Sequence, residues 1–179
     1  IATVVGQHQM WAAQFFRHSP EGRFLTSGGL GTMGYGTGAA IGAQIGNPQK
    51  RVVNIAGDGS FRMNCNELAT IARYNLPVVI LVMNNMTLGM VRQWQTLFYG
   101  QRYAETTLDT VIDWVALAQA FGISGRTLSI DDDPEQVLSE AIQLQKPVVI
   151  NCEIPLDNKV YPMVAPGASI DDMIEESMS

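Results

Sequence analysis

The chain has 179 residues, of which 46% are hydrophobic and only 16% charged, with a net charge of −6. That composition supports one domain with a sizeable core and excludes a disordered or low-complexity chain. No apolar run approaches a membrane span, no secretory leader is expected, and no Lys/Arg cluster or basic-aromatic stripe points to nucleic acid.

In chain order, apolar runs predict strands near 2–5, 23–26, 51–56, 77–83, 123–128 and 147–154. Apolar residues at helical spacing predict helices near 8–17, 34–46, 63–74, 88–98, 110–121 and 134–145. Within 110–121 the expected buried face is Val111, Trp114, Val115, Leu117, Ala118 and Phe121. Gly122 closes that helix, and Asp133 before Pro134 is an N-cap followed by a first-turn proline. Because the chain opens with Ile1, already inside the first strand, a domain cut from a longer protein is expected. Beyond Pro155 the composition changes: residues 160–167 cannot form a helix, and an acidic stretch follows. The expected organisation is a domain over 1–155 with an arm or lid over 156–179.

Strands alternating with helices predict an α/β fold, a doubly wound, mainly parallel six-stranded sheet with helices on both faces. Such sheets bind ligands at the carboxyl ends of their strands. Gly6, Gly28, Gly29, Asp58 and Asn85 all fall at those ends. Charge is divided along the chain: residues 1–103 carry a net +5 and residues 104–179 a net −11. The positive part holds the glycine motifs, which suits an anionic ligand.

The most informative pattern is Gly57-Asp58-Gly59-Ser60 after one strand and Asn84-Asn85 after the next. A carboxylate and a carboxamide brought together by one βαβ crossover are two hard oxygen ligands. That suits Mg²⁺, which completes its octahedral shell with water and phosphate oxygens. The bland alternative, Asp58 as a helix N-cap, does not explain the pairing. The glycine stretch 27–36 could be a dinucleotide loop, but no acidic residue is available for the ribose role once Asp58 is given to a metal. Met33, Met63, Met83, Met86 and Met90 cluster around these loops, as core filling or as the wall of a ring-shaped ligand. Trp94 and Phe98 continue one apolar stripe from Met90, explained as well by core packing as by a pocket. Gln7 and His8 follow Gly6 at a helix start, where a phosphate could be held. His18 has no assigned role. Cys65 and Cys152 match no metal or redox spacing and read as buried free thiols.

Taken together, Gly57-Asp58-Gly59 and Asn84-Asn85 resemble the thiamine-diphosphate motif of the transketolase, decarboxylase and carboligase superfamily. The stretches 5–13, 27–34 and 89–95 narrow the resemblance to the catalytic large subunits of acetolactate synthases, over their C-terminal third. The resemblance implies that Asp58, Asn85 and the Thr87 carbonyl hold Mg²⁺. It places Gln7, His8, Gly59 and Ser60 at the diphosphate, Gly57 in the cofactor site, and the Gly31 carbonyl on the aminopyrimidine. Met63 would wedge beneath the bent cofactor, Met33 pack beside its ring, and Gly89 and Met90 complete the cofactor site. Met90, Val91 and Trp94 would line the substrate pocket. Thr37-Gly38 departs from the family's usual Leu-Pro, so a loosened helix start is expected there.

The implied reaction decarboxylates pyruvate and joins the two-carbon fragment to pyruvate or 2-ketobutyrate, within branched-chain amino-acid biosynthesis. No catalytic residue is implied in this chain. The activating glutamate would lie on the N-terminal pyrimidine-binding domain of a neighbouring subunit, and FAD only in the full-length enzyme. A homodimer or tetramer, with a possible small regulatory subunit, is implied in the bacterial cytoplasm, or in a plastid or mitochondrion. Alternatives are another thiamine-diphosphate carboligase, decarboxylase or oxidase (glyoxylate carboligase, pyruvate oxidase), or a non-catalytic assembly module.

Overall fold

In the computed structural model, which describes residues 1–19 and 23–176, strands and helices follow one another as the apolar runs require. They are β1 (Ala2–Thr3), α1 (Gln7–Phe15), α2 (Tyr35–Gly46), β2 (Val53–Gly57), α3 (Asp58–Phe61), α4 (Leu68–Arg73), β3 (Val79–Asn84) and α5 (Gly89–Phe98). Then come α6 (Trp114–Ala120), β4 (Ser124–Leu128), α7 (Pro134–Gln143), β5 (Val148–Glu153), and the short strands β6 (Met163–Val164) and β7 (Met173–Ile174). The main sheet runs β1-β2-β3-β5-β4 with every pair parallel. The doubly wound α/β expectation holds, with five strands in place of six. The expected strand at 23–26 is reduced to one bridged residue, Leu25 beside Ala2. Leu25 exchanges bonds of 2.9 Å with Ile1 and Thr3, and the two-residue β1 offers no further ladder to extend.

Side chains alternate across the pleat and build two cores. On one face Val78, Ile80 and Val82 join Ile41, Phe61, Leu68, Ile71, Trp114 and Ala118 from α2, α3, α4 and α6. On the other, Val79 and Ile150 pack on Val137 and Ala141 of α7. Phe61 is fully buried with its ring 5.2 Å from that of Trp114. Burying such a side chain contributes roughly 3 kcal/mol, which fixes the short α3 to the sheet.

Helix ends follow the caps. Asp133 accepts from Glu135 N at 3.0 Å with Pro134 in the first turn, as expected. Asp113 accepts from Ala116 N at 2.9 Å, so α6 starts later than the apolar spacing predicts. Val111 therefore lies outside the helix and is exposed, not part of its buried face. The helix expected from 63 is also shortened: a non-helical bend at Asn64 (φ −144, ψ 26) and a 3₁₀ turn over Cys65–Glu67 precede α4. At Thr37 no loosening occurs. Helix α2 runs unbroken, and Thr37 is fully buried with its hydroxyl 3.5 Å from Asn54 Nδ2. Both cysteines are free thiols, Cys152 buried and Cys65 half-buried. Burial pushes the Cys152 thiol up to about 11, which leaves it inert. Among the described residues no helix is long and apolar enough to cross a membrane.

The segment after Ile154 does not form a layer. Residues 157–161 lie against α1 and α5, and β6 and β7 pair antiparallel beyond them. The last three residues of the expected arm lie outside the described ones.

Candidate functional site

Strand β2 passes into α3 with no residue between them, so Asp58 stands at the strand's carboxyl end and at the helix start. The next strand, β3, ends at Asn84, and Asn85 to Leu88 turn the chain into α5. Met86 takes a left-handed conformation (φ 56) in that turn, an uncommon state for a non-glycine residue that must be held by its surroundings. Here the restraint is visible. Thr87 Oγ1 and Leu88 N both donate to Thr106 O at 2.8 Å, and Leu108 N donates to Met86 O at 3.0 Å. Nothing in the spacing pointed to residues 106–108, because a backing loop leaves no periodic signal.

These ends surround a cavity of about 260 Å³. Its wall includes Gly31, Met33, Gly57, Asp58, Gly59 and Ser60. Gln7 and His8 from α1, Asn85 and Thr87 from the β3–α5 connection, and Gly89, Met90 and Val91 from the first turn of α5 complete it. A second cavity, sharing Met90 and Val91, continues to Trp94, Tyr99 and Arg102. The expected residues thus converge, with one exception. Met63 lies outside both walls and is 57% exposed, because the chain leaves α3 through a turn and not a helix.

Polar atoms in the first cavity are left without partners. Asp58 is buried, and its Oδ2 meets no donor. Burial pushes its carboxyl up to about 6, against the lowering effect of the Gly59 and Met86 N–H groups and the Arg62 charge. His8 Nε2 is likewise buried and unpartnered. Burial pushes the imidazole down to about 4, so it is neutral at pH 7 despite a backbone bond to Val4. The ring fits against β2 because residue 57 is glycine. A Cβ at Gly57 would come within 2.7 Å of His8 Nδ1.

Ser60 Oγ accepts from Val5 N at 3.4 Å and from Gly34 N at 3.3 Å, tying the loop after β1 to the start of α2. Its own O–H remains a donor toward the cavity. Gln7 behaves otherwise than expected of a phosphate ligand. Its Nε2 donates to Gln93 Oε1 at 2.9 Å and to Asn158 O at 2.7 Å, and its Oε1 accepts from Asn85 Nδ2 at 3.4 Å. The side chain is a strut between Asn85 and the arm. It has room because residue 89 is glycine: a Cβ added there would collide with Gln7 Oε1.

Among the described residues no three His, Cys, Asp or Glu side chains gather as a metal cluster. A cation here would meet one carboxylate and neutral oxygens, a donor set suited to Mg²⁺ shared with a phosphate ligand. Two orphaned polar atoms, a close-approach glycine loop and an apolar wall of Met33 and Met90 fit a cofactor with a diphosphate tail and an organic ring.

Residues 4–152 match the family described as thiamine pyrophosphate enzyme, C-terminal TPP binding domain. The chain belongs to this family. Its similar relatives include the acetolactate synthase isozyme 2 large subunit of Escherichia coli (strain K12), 48% identical over 98% of this chain and 32% of that protein. The acetolactate synthase large subunit of Pyropia yezoensis is 49% identical over 96% of this chain and 29% of its own length. A probable acetolactate synthase large subunit of Methanococcus aeolicus is 45% identical over 98% and 29%. The chain thus spans about a third of the length of the curated relatives it matches. In open α/β sheets ligands bind in the crevice at the carboxyl ends of the strands, which is where the first cavity lies.

Proposed function

We propose that this chain is the cofactor-binding domain of an acetolactate synthase, acting on pyruvate and a second 2-keto acid. The observation that carries the reading is the pair of orphaned atoms, Asp58 Oδ2 and His8 Nε2, in one cavity of a thiamine pyrophosphate-binding domain. The nearly full-length likeness to acetolactate synthase large subunits supplies the reaction class.

In this reading Asp58, the Asn85 carboxamide oxygen and the Thr87 carbonyl hold Mg²⁺. The Ser60 hydroxyl and the backbone at Gly57 and Gly59 face the diphosphate, and the Gly31 carbonyl faces the aminopyrimidine. Met33, which lines the cavity, takes the supporting role beneath the ring that the resemblance gave to Met63. When bound, thiamine diphosphate supplies the carbanion equivalent that decarboxylation and carbon–carbon bond formation require. The chain's own residues position it, and Met90, Val91 and Trp94 form an apolar wall for the keto acids, favouring decarboxylation because neutral CO₂ leaves and the electron pair left behind neutralises charge.

The rest of the proposal concerns the whole enzyme. An activating glutamate from the pyrimidine-binding domain of a neighbouring subunit completes the site. The active protein is a homodimer or tetramer with FAD in its full length, open to a small regulatory subunit, and works in the cytoplasm or an organelle. Calorimetric titration of the intact protein with thiamine diphosphate should show Mg²⁺-dependent, saturable binding. Asp58→Ala should weaken it by about 100-fold or more, beyond the effect of losing a supporting contact. Equal binding by the variant would refute the ligand assignment, and a product other than acetolactate from pyruvate would refute the reaction.

A further inference from the structure

The arm is gripped at four successive places by side chains of α1 and α5. Arg92 Nε donates to Asp157 Oδ1 at 2.8 Å while its guanidinium lies 4.0 Å above the Tyr103 ring. Gln7 Nε2 donates to Asn158 O at 2.7 Å, and Gln14 Nε2 to Tyr161 O at 3.2 Å. Between them Gln93 holds both backbone groups of Val160: Val160 N donates to its Oε1, and its Nε2 donates to Val160 O, each at 2.8 Å.

Gln93 is 2% exposed, and its carboxamide is fully used. Oε1 also accepts from Gln7, and Nε2 also reaches Met163 Sδ at 3.8 Å. A buried amide is tolerated only when so satisfied. The arrangement also has a direction. A carboxamide can turn over and exchange its oxygen for its nitrogen, but a backbone N–H and C=O cannot. Val160 therefore fixes which end of Gln93 is oxygen, and that oxygen together with Asn158 O fixes the Gln7 nitrogen. The Gln7 oxygen is then left to face Asn85 Nδ2. Asn85 Oδ1 is consequently turned the other way, toward Thr87 N at 3.3 Å and away from Gln7.

We propose that Gln93 is a positioning residue through which the docked arm sets the orientation of the Asn85 carboxamide, so that arm docking and Mg²⁺–diphosphate binding are one coupled equilibrium. This rests on the assignment of Asn85 as a cation ligand. Linkage makes the coupling reciprocal: a docked arm raises affinity for the ligand, and the ligand holds the arm down to the same extent.

The test uses the intact protein and two readouts, amide exchange at Val160 and the dissociation constant of thiamine diphosphate with Mg²⁺. Gln93→Met keeps the volume and removes the relay. Without ligand, Val160 exchange should rise about tenfold, as for the loss of a buried hydrogen bond. Ligand affinity should fall about tenfold, in the range for a supporting contact to a metal ligand. Gln93→Glu retains the acceptors for Val160 N and Gln7 but cannot donate to Val160 O, so it should loosen the arm with a smaller loss of ligand affinity than Gln93→Met. In the wild type, ligand should slow Val160 exchange, and in Gln93→Met this protection should vanish, which a merely structural role would not produce. If Gln93→Met does not fold, Asp157→Asn releases the arm's exposed end, and both readouts should move together by smaller factors. Unchanged affinity with a loosened arm, or equal ligand protection in variant and wild type, overturns the proposal. Failure of the wild type to bind the ligand at all overturns the functional reading and the coupling with it. Ligand-free exchange then still judges whether Gln93 latches the arm.

Discussion

Burial moves the two titratable side chains of the cavity wall in opposite senses, and their contributions to stability oppose one another. His8 falls from an ordinary 6.5 to about 4. Between those values the unfolded chain binds the extra proton, so this group's contribution to stability rises with pH. Asp58 rises from 3.8 to about 6, and over that window the folded state binds the extra proton, so its contribution falls as pH rises. The wild type should therefore show little net dependence from these groups between pH 4 and 6. Removing one should reveal the other, with a slope of at most about 1.4 kcal/mol per pH unit. Denaturant unfolding of Asp58→Asn at pH 4.5 and 5.5, without metal, should show stability rising with pH relative to wild type. A falling or flat difference would mean that Asp58 is not buried as described. At neutral pH the ionised Asp58 is a standing cost that a bound cation would relieve.

Helix α5 serves two cavities and the arm at once. Met90 and Val91 line both cavities, Trp94 lines the second with its ring 5.6 Å from that of Phe98, and Arg92 and Gln93 turn toward residues 157–160. Trp94 is still 37% exposed, so its indole offers a face to a second substrate as well as to Phe98. Trp94→Leu should change the preference between pyruvate and 2-ketobutyrate as acceptor, by roughly tenfold if about one side-chain contact is lost. Competition between the two keto acids in the intact enzyme measures it, and an unchanged product ratio would remove Trp94 from the pocket.

This helix also shows what a sequence can reveal. Its apolar stripe at Met90, Trp94 and Phe98 was plain in the spacing, as were Asp58 and Asn85 after consecutive strands. The partners of Gln7 and Gln93 were not, since they lie 86 positions apart and carboxamides carry no periodic signal. Met33 lines the cavity as expected, while Met63 lies outside its wall for a local reason: the chain bends at Asn64 where continued helix was expected.

At the scale of the whole molecule, the sheet is flanked by two cores built from described residues, and the proposed function has a neighbouring subunit complete the site. Leu30 is 96% exposed in the glycine loop that leads to Gly31, and among the described residues no carboxylate other than Asp58 lines the first cavity. On the proposed function, a cofactor seated there is anchored by this chain and activated by a glutamate of the neighbouring subunit. The isolated 179-residue chain should therefore form no acetolactate from pyruvate even with saturating thiamine diphosphate and Mg²⁺. Measurable turnover would show that the activating group lies within it.

The direct passage of β2 into α3 carries a different consequence, for how chain length can vary among relatives. With no loop between Gly57 and Asp58, one inserted residue would turn the carboxylate by roughly 100° about the helix axis. It would also push Phe61 out of register with Trp114. The stretch from Tyr99 to Asp113 is held only at separate points, with Tyr99 and Arg102 lining the second cavity, Tyr103 beneath Arg92 and residues 106–108 bracing the site, and no strand runs directly into a helix within it. Insertions and deletions should therefore be absent at the first junction and tolerated at the second, so that gap placement alone would mark which end of the sheet binds the cofactor.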